Sequence, residues 1–183
     1  MAMARLRLPN LGPRATSGSA AVEFAMIAPV FLLLLFAIME VALSFYADQI
    51  LANAVIETGR LIRTGQAQQQ NMSASQFRTA LCNKINYLLS CDSSKLYVDV
   101  RSFSSFGTAA YPQALDAAGN LNPSLNSYQP GGSSDTAGVN TIVLIRAFYK
   151  WKLLTPMVSA HFANMSGSTR LLSASVAFRN EPY

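Results

Sequence analysis

The residues with most chemical potential stand at the N-terminal edge of an apolar run, Gly18-Ser19-Ala20-Ala21-Val22-Glu23-Phe24. A small residue at a basic-to-apolar boundary is followed five positions later by a carboxylate. In a membrane-spanning run an ionised acid costs several kcal/mol unless paired, so Glu23 requires a cation. Cutting the chain after Gly18 would supply one, the new terminal amine on Ser19, at the same depth as Glu23 of a neighbouring copy or relative. That pairing would lower the cost of burying both charges and fix the axial register between helices. The simpler reading is that Glu23, close to a helix end, snorkels to the cytoplasmic headgroups. Residue type alone leaves both open.

Glu40 follows 17 residues after Glu23, roughly 25 Å along a helix and close to the opposite interface. It either reaches outer headgroups or water, or forms an intramembrane ion pair with a basic residue of a partner span. Arg60 and Arg63 are too far outward on the same helix to serve. The two cysteines, Cys82 and Cys91, are too few for a disulfide-built scaffold or a zinc site. Outside the cytoplasm they are expected to close a short loop, removing about 2–3 kcal/mol of chain freedom from the unfolded state. The single histidine, His161, follows a Thr155-Pro156 turn and reads as a surface or packing residue. With one such base, and no Gly-rich phosphate loop or metal-binding helix motif, no catalytic residue, metal or cofactor is expected. Lys150-Trp151-Lys152 beside Phe148 and Tyr149 has the types of a nucleic-acid stacking platform. On a strand these residues alternate between faces, and core-plus-rim is the better account, with no nucleic-acid partner.

The 183 residues are 51% apolar and 13% charged, about half the usual charge, which excludes a disordered or nucleic-acid-coating chain. The net charge of +5 is concentrated at one end: Arg5, Arg7 and Arg14 precede residue 19 without an acid, leaving eleven basic against nine acidic residues. The basic balance is thus a targeting arm and points to no acidic polymer.

The elements that must position these groups follow from periodicity. Phe24–Met39 is sixteen residues without a charge, and Ser19–Ala47 would be about 43 Å long as a helix, enough for a hydrocarbon core of about 30 Å. The preceding arginines place the N-terminus in the cytoplasm and residues 48–183 outside. The stretch is too long for a cleaved secretory signal, the rival reading. Ile50, Leu51, Ala54, Val55, Leu61 and Ile62 continue a helical stripe to about Gln66. Ser73 and Gln76 form a capping-box pair opening a second helix that runs to near Cys91. Three strands are predicted, Lys95–Phe103, Val139–Leu153 and one around Leu172–Phe178, the middle one apolar on both faces as a central strand should be. An α+β fold results: a long N-terminal helix packed on a small antiparallel sheet. Ser104–Gly138, rich in Gly, Pro, Ser and Asn, is a loop unusually long for a compact domain, either a functional surface or partly disordered.

The basic leader, Gly18, the Glu23-Phe24 pair and the following span resemble the class III signal of type IV pilin-like proteins. More narrowly, Ala20-Ala-Val-Glu-Phe-Ala-Met-Ile-Ala-Pro29, Ala54-Val-Ile-Glu-Thr-Gly-Arg60 and the ending Phe178-Arg-Asn-Glu-Pro-Tyr183 resemble the TadE family of minor pseudopilins of the tight-adherence (Tad) pilus. The resemblance runs from Gly18 onward and leaves loop 104–138 unmatched. It implies a pilin-like fold and a cytoplasmic leader, residues 1–18, cut by prepilin peptidase between Gly18 and Ser19. Glu23 would be the assembly carboxylate beside Phe24, and Pro29 would fall where such helices commonly bend. It also implies a non-enzymatic structural subunit of a Tad or type IVc pilus, needed for pilus biogenesis, adhesion and biofilm formation. The implied partners are the peptidase, membrane lipid, the inner-membrane assembly platform, the major pilin, and TadF-like and TadG-like subunits. The implied site is the bacterial inner membrane, single-pass with a periplasmic domain, and then the extracellular pilus. The competing expectation is a permanently anchored periplasmic binding or sensor module, its leader retained and loop 104–138 its ligand site.

Overall fold

A computed structural model describes residues 17–131 and 141–181. The basic arm, the loop segment 132–140 and the last two residues lie outside the described residues. The chain divides into two compact units, residues up to Phe36 and Ala37–Tyr183. In the first, helix α1 (Ser17–Arg63) starts and runs through Pro29 without interruption. It is one helix long and apolar enough to cross a membrane.

In the second unit α1 carries a buried stripe, Ala37, Ser44, Ala47, Ile50, Leu51, Ala54, Val55, Thr58 and Ile62, recurring at three and four residues. Residues 37–47, the outer end of the span in the sequence reading, therefore already contribute to the folded unit. Gly59 does not break the helix. A Cβ there would lie 3.2 Å from Ile145 and from Phe178, so the glycine lets helix and sheet backbones approach closely.

A short helix α2 (Gln66–Gln69) precedes α3 (Ala74–Ile85), whose capping box is present as expected. The Ser73 hydroxyl accepts from the Gln76 amide, and the Gln76 side chain accepts from the Ser73 amide. The helix ends at Ile85, short of the expected limit near Cys91. The reason is covalent: Cys82 and Cys91 are disulfide-bonded with Cα atoms 5.7 Å apart, whereas nine further residues of helix would separate them by about 14 Å. The chain turns through Leu88 and Leu89, whose amides bond the Ile85 carbonyl. Cys82→Ser is expected to cost about 2–3 kcal/mol of unfolding free energy. Thermal melting with and without reductant measures it, and superimposable curves for the native chain would rule the staple out.

Strands β1 (Leu96–Phe103), β2 (Ile142–Lys152) and β3 (Thr169–Arg179) form an antiparallel sheet in that order, with β2 central. The α+β architecture expected from periodicity is what the chain adopts. One sheet face, with Leu96, Val100, Val143, Ile145, Ala147, Tyr149, Leu172 and Ala174, packs on α1 and on Phe77, Leu81 and Ile85 of α3. The aromatics at 148 and 149 divide between faces, and both are buried. A helix absent from the sequence reading, α4 (Pro156–Phe162), links β2 to β3. Thr155 followed by Pro at the first helical position was its signal. The C-terminal segment is pinned to the end of α1: the Glu181 amide bonds the Arg63 carbonyl, and its carboxylate lies 3.0 Å from Arg63 Nε.

Candidate functional site

Gly18, Ser19, Glu23 and Phe24 occupy the first two turns of α1. A Cβ at Gly18 would meet nothing within 4 Å. The Ser19 hydroxyl donates to Glu23 Oε1 at 3.1 Å, so residues 19 and 23 share one helix face. Among the described residues no cation lies within salt-bridge distance of Glu23. Phe24 is 73% exposed, and the apolar side chains from Val22 to Phe36 are likewise uncovered by the chain itself. A surface this apolar and this extensive is compatible with a membrane anchor.

Glu40 finds partners within the chain. Its carboxylate accepts the amide of Leu154 through Oε1 and that of Thr155 through Oε2, the latter at 2.9 Å. These amides belong to the N-cap residue of α4, Thr155, which makes no side-chain cap, and to the residue before it, so a carboxylate from α1 satisfies two backbone donors just ahead of the helix. Neither sequence option for Glu40, headgroup contact or a partner's cation, anticipated backbone donors from residues 114 and 115 positions away.

The second concentration of charge lies on the sheet face away from α1. Asp99 of β1 stands directly opposite Arg146 of β2. Its Oδ2 receives Arg146 Nε at 3.2 Å and Nη2 at 2.6 Å, and both its oxygens receive Arg101 Nε. Asp99 is 1% exposed and Arg146 6%, because the long loop covers them. Arg146 Nη1 donates to the Pro112 carbonyl, Arg101 Nη2 to the Ser124 carbonyl, and the Ser127 amide to Asp99. The guanidinium of Arg146 also lies over Tyr111 and Phe148, 4.8 and 5.4 Å from the ring centres. Leu125 of the same loop is buried against Phe148 and Leu171. The described part of loop 104–138 is thus a third layer, fastened by one carboxylate through two arginines. Nearby, burial pushes the Tyr128 phenol up to about 12, since the phenolate is disfavoured where water is excluded.

A cleft lined by Tyr111, Pro112, Arg146, Phe148 and Ser175 opens beside this cluster, but its guanidinium is committed to Asp99 and to a backbone carbonyl. His161 is exposed on α4, beside Met157 and Ala37. Among the described residues no group of three or more His, Cys, Asp or Glu side chains is placed to hold a metal ion.

A family model described as TadE-like protein matches residues 18–62, a segment containing Gly18, Ser19, Glu23, Phe24 and Glu40. Two of the three segments that carry the sequence resemblance fall inside it, and the ending Phe178–Tyr183 falls outside. No curated protein and no solved structure matches the chain.

Proposed function

We propose that this chain, TadE-like through residues 18–62, is a minor pseudopilin of a Tad-type pilus. It is inserted in the inner membrane with its N-terminus in the cytoplasm, trimmed by prepilin peptidase after Gly18, and recruited into the filament or its initiating complex. The observation that carries this reading is the family match over a helix whose N-terminal apolar side chains find no cover within the chain. Helix packing among pilins and pseudopilins would supply that cover once subunits leave the lipid. The shared face of Ser19 and Glu23 supports the charge mechanism. After cleavage the Ser19 amine and the carboxylate lie at one depth, able to pair within a subunit in lipid and between subunits in the filament. The folded unit Ala37–Tyr183 would provide lateral contacts outside the membrane. The chain is then a substrate of the peptidase with no catalytic role of its own.

Intact mass and N-terminal sequencing of the membrane-extracted protein test the reading. A chain beginning at Ser19 is expected, and Gly18→Phe is expected to accumulate uncut precursor, since a bulky side chain would obstruct the scissile bond. A mature chain still beginning near Met1, or efficient trimming of Gly18→Phe, would instead indicate the permanently anchored module.

A further inference from the structure

The geometry points to a second membrane contact: α4 and Leu154 rest in the outer interface of the bilayer that α1 enters, with Lys152 and Arg170 meeting anionic headgroups. This rests only on the membrane-spanning part of the reading above and is independent of cleavage.

Residues 153–169 contain no Asp, Glu, Lys or Arg, and cations stand immediately on either side, Lys152 and Arg170. Within this stretch Leu153 and Val158 are buried against Ala37. Leu154, Met157 and Phe162 point outward, 83%, 49% and 40% exposed. Apart from His161, the outward side chains of this segment are as apolar as its inward ones, a composition poorly suited to water alone. The outward residues continue a surface of α1, since Met157 and Phe162 line one apolar groove with Ile38 and Ala42.

Depth identifies what covers that surface. A hydrocarbon core of about 30 Å takes about 20 residues of helix, and the uncharged run ends at Met39. Ala37–Ala42, on which α4 packs, therefore falls at the outer boundary. The carboxylate at that boundary, Glu40, is taken up by the amides just ahead of α4, as a charge near hydrocarbon requires. Arg170 is set between aromatic rings, 5.5 Å from the centres of both Phe45 and Phe162, with Asp48 4.0 Å away. Aromatic rings with cations are the composition that anchors protein at a lipid–water interface. Arg170 is answered within the chain by Asp48, and Lys152 by the Gly167 carbonyl, so these cations suit anionic headgroups without requiring them, and it is the depth of the surface on the spanning helix that makes lipid its cover.

The sole tryptophan, Trp151, packs against the Leu153–Val158 cluster and reports on this contact. The full chain is placed one copy per nanodisc in phosphatidylcholine with phosphatidylglycerol, the acyl chains brominated near their headgroup ends. A loss of Trp151 emission relative to unbrominated discs is expected. The double variant Leu154→Asp, Met157→Asp, altering exposed side chains only, is expected to restore the emission with the melting temperature unchanged. Undiminished emission in single-copy discs, or equal quenching in the variant, would overturn the proposal. So would protection of α4 amides from hydrogen exchange only when several copies share a disc, because a neighbouring copy would then be the cover. If alkaline carbonate strips the chain from membranes, the spanning reading itself fails, and that result is separate from failed quenching of an integral chain.

Discussion

Asp99→Ala is expected to lower the stability of the folded unit by about 3–5 kcal/mol, because it leaves Arg146 buried without its counter-charge. The comparison with surface pairs decides the size. Lys84–Glu57 and Arg63–Glu181 are half-exposed, and such contacts contribute about 0–1 kcal/mol. Asp99 and Arg146 have side chains only 1% and 8% exposed, so the orphaned guanidinium has little water to turn to. The loss is not confined to one pair. Asp99 orients Arg101 as well as Arg146, and the two arginines reach the loop carbonyls at Ser124 and Pro112. Denaturant unfolding gives the free energy, and hydrogen exchange at Ser127, Val100 and Gln129, whose amides bond across this junction, shows whether the loop comes loose with it. Asp99→Leu with Arg146→Met is expected to recover part of the loss, since the buried guanidinium leaves with its carboxylate, while the partly exposed Arg101 and the Ser127 amide still lose their acceptor. A single-variant effect below about 1 kcal/mol would mean that the cluster is hydrated like a surface pair.

Glu23→Ala carries the other large effect, on assembly. Membrane insertion and trimming after Gly18 are expected to continue, while incorporation into filaments falls on the order of 100-fold. That factor is what about 2.7 kcal/mol amounts to, within the cost of leaving a charge unpaired among apolar helices. Glu23→Gln separates charge from shape. It preserves the side chain's size and its capacity to bond the Ser19 hydroxyl, so a defect as deep as that of alanine assigns the effect to the negative charge. Filament yield per membrane-inserted subunit is the measurement, with N-terminal sequencing as the control for cleavage. Wild-type piliation in both variants would remove the charge-pairing mechanism while leaving the fold and the family match untouched.

These variants probe two different depths of legibility. Glu23 stands out because an acid at the lip of an uncharged run violates a local rule, and a rule broken within six residues is visible in one dimension. The same holds for the long helix, the capping box at Ser73 and Gln76, and the central strand, where three-to-four or two-residue periodicity records which face is covered. Asp99 shows the limit. Alternation along β1 places it opposite Leu96, Val98 and Val100, on what reads as the polar face, yet nothing in the alternation says that a loop returns over that face. The covering residues Leu115, Leu121 and Leu125 are scattered among Gly, Pro, Ser and Asn and have no period of their own.

Local pattern by itself, then, marked the long helix, the capping box, the three strands, the apolar run, the resemblance of its first helix to TadE-like proteins and the position of Glu23, because each depends on neighbours a few residues apart. Tertiary structure alone decided that α3 stops at Ile85 so that Cys91 can return to Cys82, that Glu40 holds the backbone leading into α4, and that Asp99 clamps the long loop. Those outcomes join groups 9 to more than 100 residues apart. They are selected by which buried donors, charges and thiols meet once the chain has closed on itself, and that is a property of packing in three dimensions.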